Sequence, residues 1–329
     1  MAHGKEAPMG WADCSDGESD AEPGLPMHGV NPVEIEVGIA AHLREHQLVG
    51  VRFALSCFLQ GGGCILADEM GLGKTLQSIA VVFTLMSSAK QCNKVLILCP
   101  ASLIGNWCAE FSRWLGKRCA VKALDAVRSA VASRILKNYK QSAGREVLIM
   151  SYDMFRRHGE SLHDCVGVVV CDEGHRLKSP TAVITKCVQS LGTHRRLILS
   201  GTPVQQKLPE FLSLLSIVQP RLFSCLGSFM TEFGNPILGG HQPSASVDDR
   251  TAAETQAQRL LQLTSDFILR RSNSLLAKAL PPKNIYYVFV TLIGHQASLY
   301  RNVLGQLSGS ESLPALRRLQ AIATHPFRQ

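Results

Sequence analysis

The sequence predicts an α/β fold, a parallel sheet covered by helices on both faces, with a helical extension after it. Three observations lead there. Short apolar runs alternate with helix-length stretches from residue 45 to residue 217. One run leads straight into a glycine-bearing turn over residues 68–75. Another ends in the acidic pair Asp172-Glu173.

Taken in chain order, residues 1–32 are rich in Gly, Pro, Asp and Glu and read as a disordered acidic leader. Helices are predicted near 45–60, 74–88, 101–115, 126–140, 180–191 and 208–217. Strands are predicted near 63–67, 94–99, 120–124, 147–151, 166–171 and 196–200. Beyond residue 220 the strand signal fades. Residues 235–250, with Gly239-Gly240 and Pro243, read as a loop before a long helix over 251–271. A short strand over 286–292 and helices over 294–307 and 312–324 complete the chain. The predicted division is a lobe over 33–219, a helical protrusion over 220–284 and a linker segment over 285–329.

The turn over 68–75 has the chemistry of a phosphate-binding loop. Cys64-Ile65-Leu66-Ala67 supplies the preceding strand, and apolar residues from Leu76 onward recur at helical spacing. Gly71 and Gly73 let backbone amides close on phosphate oxygens, and the helix N-terminus adds the positive end of its dipole. Lys74 can reach the terminal phosphates, and the Thr75 hydroxyl can ligate Mg²⁺. The pattern G-x-x-x-x-G-K-[ST] is broken only by Asp68 at the first glycine position. A lone Gly-Lys-Thr also serves as an ordinary helix cap, so the second motif decides. Val168-Val169-Val170-Cys171 is a buried strand delivering Asp172 to a Mg²⁺ shell and Glu173 to an attacking water.

Composition narrows the classes. The 329 residues are 46% apolar and 18% charged, enough for a sizeable core, and suggest about two domains. No apolar run of membrane-spanning length and no signal-peptide core occurs, so no membrane partner is expected. The eleven cysteines form no C-x-x-C pair, which predicts reduced thiols and no zinc site. Residues 1–33 hold six acids against Lys5, leaving 33 basic and 20 acidic side chains and a charge of +13 over the rest. That balance favours a polyanionic partner.

With both motifs in place, the order of further segments resembles the Swi/Snf-type helicase-like ATPases of helicase superfamily 2. Leu43-Arg44-Glu45-His46-Gln47-Leu48-Val49-Gly50 is similar to their Q motif, and Asp68-Glu69-Met70-Gly71-Leu72-Gly73-Lys74-Thr75 is their form of the phosphate loop. Cys99-Pro100-Ala101-Ser102-Leu103 with Asn106-Trp107 resembles motif Ia, Asp172-Glu173-Gly174-His175 motif II, and Ser200-Gly201-Thr202-Pro203 motif III. Ile268-Leu269-Arg270-Arg271 and Leu280-Pro281-Pro282-Lys283 also fall where the family has similar segments. Gly174 and Asn235-Pro236-Ile237-Leu238-Gly239 bring the chain nearest to the Rad-fifty-four branch of recombination-repair translocases. Gln206 and Val49 depart from the family pattern.

The resemblance implies a RecA-like P-loop NTPase lobe with a parallel sheet, using ATP and Mg²⁺. Lys74, Asp172 and Glu173 would be catalytic, with Thr75 and Asp172 on the metal. Gln47, whose amide suits the adenine edge, would join residues 68–75 in holding the nucleotide. His175, Ser200 and Thr202 would couple nucleotide state to movement, while Ser102 and Asn106 would donate to DNA phosphates. Trp107, Phe111 and Trp114 read as a buried helix stripe, and Arg156-Arg157, Arg195-Arg196 and Arg270-Arg271 as an ensemble of DNA-backbone contacts. The implied activity is DNA-dependent ATP hydrolysis on double-stranded DNA in the nucleus, with a RecA-like recombinase or chromatin as further partner. A remodeller of another Swi/Snf branch and a catalytically silent binding module are the alternatives. A Leu319…His325-Pro326 segment precedes the second lobe in the family, so the chain is expected to be a first lobe with slow turnover.

Overall fold

The computed structural model describes residues 35, 37–87, 92–125, 129–201, 208–223, 225–276, 284–305 and 312–324. The predicted leader over 1–32, Thr202, Gln206, the 280–283 segment and His325-Pro326 lie outside the described residues. Two compact units result, Met1–Leu276 and Ala277–Gln329.

Helices α1 (Val37–Ala40) and α2 (Glu45–Leu59) precede the first strand. The start of α2 is fixed by Gln47, whose Oε1 accepts from the Arg44 N–H at 3.0 Å, the return half of a capping box. Strand β1 (Cys64–Leu66) runs fully buried into the glycine-bearing loop over 68–73, and α3 (Lys74–Ser87) leaves it, buried from Gln77 through Met86. Next come β2 (Lys94–Cys99), α4 (Ile104–Leu115), β3 (Ala120–Leu124), α5 (Ser129–Gln141) and β4 (Glu146–Ser151). Then follow α6 (Tyr152–His158), β5 (Val168–Cys171), α7 (Val183–Gln189), β6 (Arg196–Leu199) and α8 (Leu208–Val218). Every residue of β2, β4, β5 and β6 is buried, as continuous apolar runs require when helices cover both sheet faces.

The segment after α8 departs from expectation in three places. Residues 235–250 are mostly helix, not loop: α9 (Leu226–Phe229), a π-helical turn (Met230–Gly234) and α10 (Asn235–Gly240) run on from one another. Pro236 sits in the first turn of α10, directly after the π-helical turn. Helix α11 (Val247–Ser265) starts four residues before the expected point because Ser246 caps it. Ser246 Oγ accepts from the Asp249 N–H and Asp249 Oδ2 accepts from the Ser246 N–H, both at 3.1 Å. The helix also stops short of 271, and Ile268–Leu269 form a strand, β7, paired in parallel with β1.

The sheet order is β3-β4-β2-β5-β6-β1-β7, and every pair is parallel. The carboxyl ends of β1, β6 and β5 therefore lie side by side, the edge at which such sheets bind ligands. Phe223, Phe229, Phe233 and Phe267 stack with centroid separations of 5.6 to 6.2 Å and fasten the later helices to this unit.

In the second unit, α12 (Gly294–Gly305) and α13 (Ser312–Thr324) meet, with Gln296 Nε2 donating to the Ile322 carbonyl at 3.1 Å. Ala315 and Leu319 are buried there. The strand expected over 286–292 does not form; Tyr286, Tyr287, Val288 and Phe289 are exposed and join no sheet. Aromatic and β-branched residues suit a strand, but a strand needs a paired neighbour, and among the described residues none pairs with this segment. Among the described residues no helix is long and apolar enough to cross a membrane.

Candidate nucleotide site

The loop between β1 and α3 is shaped by two glycines. Gly71 has φ +92° with nothing within 4 Å of its missing β-carbon, and Gly73 has φ +77°. A β-carbon on Gly73 would lie 2.2 Å from Gln47 Nε2 and would displace that amide, but it is the positive φ that calls for glycine. Between them Leu72 is buried, while Met70 stands exposed at the tip beside Gly201 of the third motif. Lys74 opens α3 and folds back over the loop, its Nζ donating to the carbonyls of Asp68 at 2.6 Å and Glu69 at 3.2 Å. Burial pulls its ammonium below the usual lysine range, against the opposing pull of Asp68, Glu173 and Asp172. Thr75 is half-buried in the first turn of α3.

Gln47 is buried, and its Nε2 donates to the Leu72 carbonyl at 3.3 Å. With Oε1 on Arg44, the amide ties α2 to the loop. His46 Nε2 reaches the same Leu72 oxygen at 3.3 Å.

The acidic pair lies two strands from the loop, beyond β6. Asp172 Oδ2 accepts from the Trp107 indole N–H at 2.8 Å, and Oδ1 from the Glu173 N–H at 2.9 Å. Its own N–H donates to the Leu98 carbonyl, and its carbonyl accepts from the Tyr152 hydroxyl at 2.6 Å. Burial raises the Asp172 carboxyl above its ordinary range, opposed by the Trp107 hydrogen bond. Glu173 has φ 51°, the one positive value outside glycine among the described residues. Such backbone costs about 1 kcal/mol or more and persists where neighbours over-determine it. Its carboxylate meets His175 Nδ1 at 3.2 Å. Ser200 is buried, and its N–H donates to the Leu66 carbonyl at 3.1 Å, bridging loop strand and third motif.

Ser102, in the 3₁₀ turn Ala101–Leu103 that leads into α4, and Asn106, in the first turn of α4, are both exposed, and Leu103 at the start of α4 makes no side-chain capping hydrogen bond. Trp107 and Phe111 are buried as the helix stripe required, and Trp114 is half-buried. The arginine pairs divide. Arg196 is buried, donating to the carbonyls of Ile217, Gln189 and Leu191, and Arg271 is turned onto Asp68. Neither is available to a DNA backbone, whereas Arg156, Arg157 and Arg270 are exposed.

Sequence reading missed Trp107 and Tyr152 as partners of Asp172, and Gln77, which donates to Asp68 and Leu72. The only signal for Trp107 was its place beside Asn106 in motif Ia. Nothing in the sequence marked Gln77 apart from its position one turn into α3.

The residues present fit a nucleotide: glycine-shaped amides, a lysine ammonium on the loop and a carboxylate pair across one intervening strand. Fold and site together define a phosphate-loop NTPase lobe of the RecA-like kind. The chain belongs to the SNF2-related domain family, whose model matches residues 46–325. It is 35% identical to the DNA repair and recombination protein RAD54 of Saccharomyces cerevisiae, over 94% of this chain and 42% of that protein. It is 37% identical to a RAD54-like DNA repair and recombination protein of Danio rerio, over 88% of this chain and 40% of that one. The solved SWI2/SNF2 ATPase core of Sulfolobus solfataricus in complex with dsDNA superposes with a TM-score of 0.60 at 26% identity, covering 90% of this chain and 60% of that one. The chain thus spans about two fifths of the length of these curated relatives.

Proposed function

We propose that this chain is the ATP-binding motor lobe of a DNA-dependent ATPase that acts on double-stranded DNA in recombination and repair, in the nucleus. The observation carrying the reading is the convergence of Lys74, Asp172 and Glu173 at the carboxyl edge of the sheet. Phosphates lie against the amides of residues 71–75, with Lys74 exchanging its carbonyl contacts for phosphate oxygens. Thr75 and Asp172 would hold Mg²⁺, which when bound neutralises phosphate charge. Glu173 orients the attacking water, and His175, which its carboxylate meets, serves with Ser200 and Thr202 to couple nucleotide state to movement. Gln47, with one amide hydrogen beyond its Leu72 contact, serves the adenine. The exposed polar groups of Ser102 and Asn106 serve DNA phosphates. A RecA-like recombinase is favoured over chromatin as partner because the named relatives are repair and recombination proteins.

Titration with a fluorescent ATP analogue tests the site. Lys74→Ala removes a charge-assisted contact of about 1.5–3 kcal/mol and should weaken binding roughly 10- to 100-fold. Equal affinity in both chains would refute the assignment. Residues 1–329 assayed alone should turn ATP over slowly if arginines of a second lobe complete the site, as the resemblance implies, since such fingers are worth about 10³- to 10⁵-fold. Phosphate release should stay near background with or without duplex DNA. Brisk, DNA-stimulated release abolished by Glu173→Gln would refute this.

A further inference from the structure

Arg271 lies outside all of the nucleotide motifs, two residues past β7, yet its guanidinium enters a cell walled by the phosphate loop. Nε donates to Asp68 Oδ1 at 2.9 Å, and Nη2 to Asp68 Oδ2 and to Gln77 Oε1, the latter at 3.0 Å. Nη1 donates to the His46 carbonyl. Asp68 and Gln77 are both fully buried. The two-pronged contact with Asp68 uses the planar fork that only arginine offers.

The surrounding sequence makes room for this side chain. A β-carbon on Gly50 of α2 would stand 1.9 Å from Gln77 Oε1 and 2.8 Å from Arg271 Nη2. Glycine within a helix is unfavourable by itself, so its presence here reflects the space the arginine and glutamine occupy. The main chain repeats the link. The Arg271 carbonyl accepts from the Glu69 N–H at 3.0 Å, and the Leu269 carbonyl from the Ala67 N–H at 2.7 Å.

From Asp68 the contacts pass into the phosphate-facing half of the loop. Gln77 Nε2 bridges Asp68 Oδ2 at 3.4 Å and the Leu72 carbonyl at 3.2 Å. The Asp68 carbonyl itself receives Lys74 Nζ. We infer that Arg271 is a positioning residue of the nucleotide site: it holds Asp68, and through Asp68 sets the resting place of Lys74 and the curve of residues 71–75. It touches no phosphate. The inference deepens the reading of this loop as an ATP site and rests on it.

The test compares Arg271→Lys, Arg271→Ala and Leu260→Ala in the full chain. Leu260, buried in α11, controls for lost packing. A fluorescent ATP analogue with Mg²⁺ is titrated, thermal unfolding is followed, and amide exchange is read by mass spectrometry. Lysine keeps the charge but cannot span Asp68, Gln77 and His46 together. Arg271→Lys should therefore lose affinity roughly tenfold, the worth of one charge-assisted hydrogen bond. Exchange should quicken at residues 67–75 while β2 and β4 stay protected. Leu260→Ala should lower the melting temperature at least as far and leave affinity within about twofold. If the unmutated chain binds and Arg271→Lys binds equally well, the inference is overturned alone. It is likewise overturned if affinity simply tracks melting temperature across the variants. An unmutated chain that does not bind the analogue overturns the ATP reading, and this inference with it.

Discussion

Gly174 shows how closely single residues are specified around the acidic pair. A β-carbon there would lie 2.2 Å from Ile198 Cγ2 of β6, a branched atom with no slack, and 3.4 Å from the Leu199 carbonyl. Gly174→Ala should therefore destabilise the chain by about 1–3 kcal/mol, as overpacked cores do. In that background Ile198→Ala should cost less than it does alone, because it vacates the clash. Urea unfolding of the two single variants and the double variant measures the difference. Additive losses would mean the backbone at residue 174 moves instead. The sequence displayed this glycine openly, but only β6 explains why it is there. The same holds for Glu173, whose left-handed backbone no residue type announces.

At the scale of elements, α4 joins two chemistries. Ser102 in the turn leading into it and Asn106 in its first turn are exposed, and one position after Asn106 Trp107 points inward to the carboxylate of Asp172. Groups that orient a metal-ligating side chain typically carry 10- to 100-fold of metal affinity. Trp107→Phe keeps a ring beside Phe111, now at a centroid distance of 6.1 Å, but removes the N–H. The Mg²⁺ concentration needed for half-maximal nucleotide binding should rise about tenfold, while Mg²⁺-free binding is unchanged. An unaltered Mg²⁺ requirement would leave Trp107 a packing residue. This helix also shows where sequence reading stops. The apolar stripe correctly buried Trp107 and Phe111, but periodicity carries no information about which carboxylate an indole meets across the sheet. The first six strands, β1 to β6, were legible as short apolar runs. The two-residue β7 was not, since Ile268-Leu269 continue the helical pattern of α11 and only β1 makes them a strand. The start of α11 was misread for a related reason: the Ser246–Asp249 box lay hidden in a stretch rich in turn residues.

Over the whole molecule, charge is the property that acts at long range. From residue 34 onward there are 33 basic and 20 acidic side chains, although Arg196 and Arg271 are spent on internal contacts. Duplex DNA should bind chiefly through phosphates, with log affinity falling against log salt by about 0.9 per phosphate neutralised. Anisotropy titrations of unrelated duplexes from 50 to about 200 mM salt provide the check. A salt-independent affinity, or strong preference for one sequence, would contradict it.

The pairing of β7 with β1 sets an order on biosynthesis. Asp68 and Arg271 are 203 positions apart, so the ribosome completes the loop long before the residue that braces it appears. Domains fold as their segments emerge, and contacts of such separation close late. Until Arg271 leaves the ribosome, the nascent chain carries Asp68 without its counter-charge and β1 as an open edge with free backbone groups. A strand edge of that kind invites pairing with other chains. The interval between the synthesis of β1 and that of β7 is therefore when this sheet edge is most open to misassembly.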